Sequence, residues 1–278
     1  MKKAVTIQDI SCFGKCSLTV ALPVMSAMGI ETAIIPTAVL STHTGGFTGY
    51  TFRDLTDDIP AITNHWKTLN LKFNAIYTGY LGSAEQVDIV SDFFRDFRTG
   101  DNVIIVDPVL GDNGRFYAGF GEDFAEKMSG LCSGADYILP NMTEASFMLK
   151  VPYTENYDRE YVENILRRLA GLGCKIPVLT GVHFDSSRQG VAAYDSMNDK
   201  FYYSFSENIE RSVHGTGDIF ASVFTGAVTL GKDIQTALDI AVNYTVECIK
   251  ATVPYFDEMW YGSCFELCIG KLIEMINK

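Results

Sequence analysis

The chain has no uninterrupted apolar run of the roughly 18 or more residues that a membrane-spanning helix needs, so no membrane partner is expected. It is also short of positive charge: 22 Lys+Arg stand against 34 Asp+Glu, a formal charge of −12. Without a basic face to release counterions from phosphates, nucleic acid is excluded as a partner. A nucleotide is not excluded, because backbone amides and a divalent ion can meet its phosphates locally. The N-terminal residues lack the apolar core of a secretion signal. Seven cysteines, an odd number, argue for reduced thiols and a cytoplasmic location rather than a disulfide framework. Cys12/Cys16 and Cys264/Cys268 have metal-like spacing, but the second pair falls in a helical pattern where one buried face gives the same interval. Linkers, repeats and low-complexity segments are missing too, which predicts one domain over residues 1–278.

What is present is an ordinary globular composition, 47% hydrophobic and 20% charged. Apolar strand-like segments at 3–10, 32–40, 75–78, 103–106, 137–139 and 178–179 alternate with helical patterns at 18–28, 57–69, 84–98 and 159–171. Helices are also expected after Gly217, over 234–252 and over 264–276, and polar glycine-rich loops over 41–50 and 111–121. Residues 190–194 and 201–205 flank Ser196-Met197-Asn198-Asp199 as an antiparallel hairpin. Unbroken apolar strands alternating with helices predict a mostly parallel sheet covered on both faces, with the hairpin at one edge.

Polar residues fall just after the apolar runs: Asp9, Thr78-Gly79-Tyr80, Asp107, Asn141 and Thr180. In an open parallel sheet this carboxyl-terminal rim is where ligands bind. The stretch His214-Gly215-Thr216-Gly217-Asp218 leads into a helical run. Such a turn exposes unpaired N–H groups at a helix start, where the dipole favours an anion such as a phosphoryl group. Asp218, in the first turn beside that site, suits a base that takes a proton from an attacking hydroxyl. The helix dipole is expected to favour its ionised form. Taken alone, the same residues also describe a glycine turn with a capping aspartate.

Four further blocks narrow the choice: Leu40-Ser41-Thr42-His43-Thr44-Gly45, Thr78-Gly79-Tyr80-Leu81-Gly82-Ser83-Ala84-Glu85, Asp107-Pro108-Val109-Leu110-Gly111-Asp112 and Pro140-Asn141-Met142-Thr143-Glu144-Ala145. In order and spacing, over about residues 5 to 250, the chain resembles the pyridoxal kinase family of the ribokinase-like superfamily. The resemblance implies a ribokinase-like three-layer α/β sandwich and ATP-dependent phosphorylation of the 5′-hydroxymethyl group of a vitamin B6 vitamer. It also implies Mg²⁺, stimulation by a monovalent cation such as K⁺, and a homodimer.

By position, the resemblance gives Asp218 as base and Gly215, Thr216 and Gly217 as anion hole. It sets Asp9, His43, Thr44 and Tyr80 around the small-molecule acceptor, and Asp107, Asn141, Glu144 and Thr180 toward the nucleotide, with Asp107 and Glu144 acting through the metal. That last role has a physical reason, since acids beside a triphosphate repel it unless a cation bridges them. Phe116, Tyr117 and Phe120 in the 111–121 loop suit a flap that excludes water. Asn141 can equally cap the helix that follows it.

One position departs from the family. Many pyridoxal kinases carry serine after Ile-Gln, where this chain has Asp9. A carboxylate there would pair with a protonated ring nitrogen or an ammonium group, shifting preference toward pyridoxamine. The departure keeps open a hydroxymethylpyrimidine or other small-alcohol kinase. A catalytically silent vitamer-binding protein is disfavoured, because a binder needs no base beside an anion hole.

Overall fold

The computed structural model describes residues 1–209 and 211–278. Among them, the strands in chain order are β1 (Lys3–Ser11), β2 (Glu31–Leu40), β3 (Phe52–Asp54), β4 (Ala75–Thr78), β5 (Val103–Val106), β6 (Gly111–Asp112), β7 (Arg115–Phe116), β8 (Tyr137–Ile138), β9 (Ile176–Val182), β10 (Arg188–Asp195) and β11 (Lys200–Glu207). The helices are α1 (Leu18–Ala27), α2 (Asp58–Thr68), α3 (Ala84–Phe97), α4 (Glu122–Ser133), α5 (Met142–Leu149), α6 (Arg159–Ala170), α7 (Thr216–Thr229), α8 (Ile234–Thr252) and α9 (Ile269–Ile276).

The main sheet runs β11-β10-β9-β8-β5-β4-β1-β2-β3. From β9 to β2 every pairing is parallel, while β10–β11 and β3 add antiparallel edges at opposite ends. Side chains on a strand alternate between faces, and both faces are buried here. Val5 and Ile7 join one core with Ile76, Ile104 and Leu179, packed under α2 to α6. Ala4, Ala75, Tyr77, Ile105 and Val178 point the other way, into a core with α1, α7, α8 and α9. This two-sided burial is why the strands read as unbroken apolar runs. Each fully buried Ile or Val side chain contributes roughly 1.5–3 kcal/mol.

Helix α6 shows how local sequence fixes an outer-layer element. Asp158 caps it by accepting from the Tyr161 N–H at 2.9 Å. Val162, Ile165, Leu166 and Leu169 form the buried stripe at helical spacing, and the helix stops at Gly171. Helix α7 is different: ten of its fourteen residues are buried, because it lies between the sheet and α1 and α8.

Three expectations are corrected. Asp9 and Thr180 lie within β1 and β9 rather than past their ends. At Asp9 the ladder with β2 slips, two steps of β1 meeting three of β2, next to Pro36, which has no N–H to donate. Residues 264–276 are not one helix but a short 3-10 turn, Phe265–Cys268, followed by α9. The edge strand β3 and the small β6–β7 hairpin had no legible pattern, being three and two residues long.

Candidate active site

The carboxyl ends of β1, β4, β5 and β8 and the start of α7 meet at one rim of the sheet. Gly215 is the N-cap of α7 at φ 80°, and a Cβ there would stand 2.0 Å from the Lys15 carbonyl oxygen. Both the left-handed backbone and the close approach require glycine. The Thr216 hydroxyl donates to the Val213 carbonyl at 3.2 Å and closes the turn. No side chain caps the helix. Gly217 is exposed, and a Cβ built on it meets nothing within 4 Å. The first N–H groups of α7 are therefore left without a side-chain partner, as an anion site requires.

Asp218 lies in the first turn of α7 and is half-buried. Burial raises its pKa from the usual carboxylate range to about 7, opposed by the Ser17 backbone N–H and reinforced by the charge of Asp9. The expectation that the helix dipole would hold it ionised is corrected: desolvation outweighs the dipole.

Asp9 is 5% exposed, accepts from the Ser11 hydroxyl at 3.1 Å, and is likewise raised, chiefly by burial. Tyr80, after β4, is pushed up to about 12 by burial and then by Asp9, which places the phenol near that carboxylate. Its ring lies 5.7 Å from Phe120.

Asp107 and Glu144 form the other half. Asp107 is buried, and its pKa is well above the carboxylate range because of burial, then Glu144, then Asp218. Glu144 is 4% exposed and raised to about 8 by burial. Both of its oxygens are committed: Oε1 accepts from the Leu110 N–H at 3.2 Å and Oε2 from the Asn141 N–H at 2.8 Å. Asn141 Oδ1 accepts in turn from the Glu144 N–H at 2.9 Å, completing a capping box on α5. Asn141 Nδ2 donates to the Gly111 carbonyl at 2.9 Å, tying α5 to β6. Among the described residues no salt bridge reaches any of these four acids.

The donor set fits a divalent cation. Two buried carboxylates repel one another with no cation beside them, and Mg²⁺ binds by one or two carboxylates plus phosphate and water. No cluster of three or more ligating side chains exists among the described residues, so most ligands would come from the nucleotide and solvent.

The expected flap is an ordered β6–β7 hairpin. Phe116 stacks on Phe147 at 3.9 Å and Phe120 on Phe124 at 4.0 Å. Burial and then the charges of Glu144, Asp112, Asp107 and Asp218 raise the Tyr117 pKa.

His43 is 5% exposed with both ring nitrogens engaged: Nδ1 accepts from the Gly45 N–H at 3.1 Å, and Nε2 donates to the Tyr261 carbonyl at 2.6 Å. Burial lowers its pKa, so the ring is neutral. It packs between Phe47 and His214 and fastens the 41–50 loop to the C-terminal segment. Thr44, beside it, is exposed. The Thr180 hydroxyl donates to the Pro140 carbonyl at 3.3 Å, a contact within the sheet rim rather than with the acids.

Sequence reasoning missed Ser17 and Tyr261. Ser17 had one readable signal, a serine directly before an apolar helical run. Tyr261 had none, since it reaches the site from 218 residues away from His43.

The sequence profile of the phosphomethylpyrimidine kinase family matches residues 20–259. A Bacteroides thetaiotaomicron protein provisionally assigned as a phosphomethylpyrimidine kinase, crystallised with pyridoxal, is 40% identical; the match covers 98% of this chain and 95% of that one, with a TM-score of 0.93. Pyridoxal kinase from Lactobacillus plantarum is 29% identical over 99% of this chain and 98% of its own, with a TM-score of 0.91. Pyridoxal kinase of Dictyostelium discoideum is 26% identical, covering 90% of this chain and 86% of the relative.

Proposed function

The chain belongs to the phosphomethylpyrimidine kinase family, within the ribokinase-like superfamily, and it is a kinase of vitamin B6 vitamers; we propose that ATP donates the phosphoryl group and that Asp218 takes the proton from the acceptor hydroxyl. The observation that carries this reading is a single one. A half-buried acid whose pKa is raised to about 7 sits in the first turn of a helix that no side chain caps, so a base and an anion site stand side by side.

The acceptor hydroxymethyl group lies between the Asp218 carboxylate and the phosphate on the Gly215-Thr216-Gly217 amides. Phosphoryl transfer needs positioning and charge neutralisation more than strong basicity. A carboxylate whose pKa is raised toward neutrality suits a base that must accept a proton near neutral pH. Asp107 and Glu144 would hold Mg²⁺, which would supply charge neutralisation for the nucleotide phosphates. Asn141 and its capping box keep Glu144 rigid, and Thr180 lines the nucleotide side. Tyr80 walls the ring of the acceptor, with Thr44 at the cleft mouth. His43 acts by fastening its loop. Asp9 pairs with a cationic nitrogen of the acceptor, favouring pyridoxamine or a protonated ring. Stimulation by K⁺, a homodimer, a cytoplasmic location and a single domain over 1–278 complete the proposal.

A panel of pyridoxal, pyridoxine, pyridoxamine and hydroxymethylpyrimidine with MgATP tests it. Phosphorylation of the three vitamers is expected. The family description favours one second reading, a hydroxymethylpyrimidine acceptor. Turnover of that alcohol alone would replace the vitamer assignment with it.

A further inference from the structure

The turn at the start of α7 and the 41–50 loop are far apart in sequence, yet two imidazole rings join them. His214 directly precedes Gly215, the N-cap of α7. Its ring lies on the 41–50 loop: a Cβ built on Gly45 would stand 2.9 Å from both Cε1 and Nδ1 of His214, and 3.3 Å from Nδ1 of His43. No side chain fits there, so Gly45 is the residue that lets the ring approach the loop backbone. The His43 and His214 rings are 5.3 Å apart, tilted by 42°. His43 has little freedom to shift, because its nitrogens bond Gly45 and Tyr261 and a Cβ on Gly14 would stand 2.2 Å from its Cδ2. The loop therefore offers a fixed seat, and His214 rests on it. His214 is exposed, so this contact is made at the surface rather than in either core.

We propose that His214 is a positioning residue: by packing on Gly45 and His43 it holds the anion turn in register with the acceptor loop, and so sets the reach from phosphoryl group to acceptor hydroxyl. The inference rests on the proposed roles of that turn and that loop. Its physical ground is that the reacting atoms must be held at near-attack distance, where a misplacement of about 1 Å can cost about 10²-fold. The ring's shape carries this role. The alternative is that its nitrogens act directly, by a hydrogen bond to phosphate.

Two substitutions separate these readings. His214→Ala removes the ring, and the single-turnover rate of vitamer phosphorylation is expected to fall about tenfold or more. MgATP affinity by calorimetry should stay near native, because the turn itself is unaltered, and so should Tm, because the contact is exposed. His214→Phe keeps a ring without nitrogens and should recover most of the lost rate. Gly45→Ala drives a methyl group into the His214 ring and should also slow transfer. In a His214→Ala background that penalty should shrink, since the space is then free. A native rate in His214→Ala, a phenylalanine variant no better than the alanine one, or an undiminished Gly45→Ala penalty would overturn the positioning role while leaving the kinase assignment intact. A native chain that phosphorylates no vitamer would remove both.

Discussion

The two halves of the cleft solve opposite problems with the same kind of residue. On the β5–α5 side, Glu144 has both carboxylate oxygens occupied by backbone N–H groups, and Asn141 locks the arrangement. On the β1–α7 side, Asp218 stands in the first turn of a helix that no side chain caps. Burial raises the pKa of both acids, to about 8 and about 7. A carboxylate fixed by donors can hold a cation but has little freedom to exchange a proton. One without such donors can do so. The surroundings, not the residue type, divide the labour.

That contrast can be broken from either side, and the largest effect is expected at Asp218. Asp218→Asn should cut turnover about 10²–10⁴-fold while leaving nucleotide and vitamer affinity near native, measured by steady-state kinetics and calorimetry. Full activity in this variant would erase the distinction between the halves. Gly215→Ala should come next. Its φ of 80° and the 2.0 Å approach to the Lys15 carbonyl mean the anion loop must move, so both turnover and Tm should fall.

Glu144→Ala should act first on stability, leaving the Leu110 and Asn141 N–H groups without their acceptor at a cost of about 1–3 kcal/mol. Thermal unfolding would show it, and an unchanged Tm would mean the capping box does not restrain Glu144.

The pH dependence sharpens the same comparison. Asp218 works ionised and its pKa is about 7, so kcat/KM should fall as pH drops through 7, and Asp218→Asn should lose that limb. Stability runs the other way. The folded pKa lies above the unfolded one, so the native state binds the extra proton; the stabilisation is complete below the unfolded value and lost as pH rises through about 7. Asp218→Asn should therefore raise Tm at pH 8 and hardly at all at pH 4. The smallest effect is expected from Asp9→Ser, a few-fold drop in kcat/KM for pyridoxamine relative to pyridoxal. Equal losses on both would remove Asp9 from acceptor selection.

Legibility followed length and locality. The parallel strands were readable because their residues are buried on both faces, and the β10–β11 hairpin because Ser196–Asp199 is dense in turn formers. Edge strand β3, three exposed residues long, left no trace. The turn at Gly215 and the place of Asp218 in the first turn of α7 could be read because a glycine turn into a helix is a local device. Tyr261 could not, since its contact with His43 forms only on folding. His43 was readable as a site residue but not in its manner of acting, because its two nitrogens are claimed by Gly45 and Tyr261.

The sequence by itself determined the layered sheet, the rim on which polar residues gather, and the glycine turn with its neighbouring acid. All of these follow from periodicity and backbone chemistry that act within a few residues. Only the tertiary structure decided that the pKa values of Asp9, Asp107, Glu144 and Asp218 are raised, because desolvation depends on what the rest of the chain packs around each carboxyl group. There, burial overrode the helix dipole that the local sequence had put in charge.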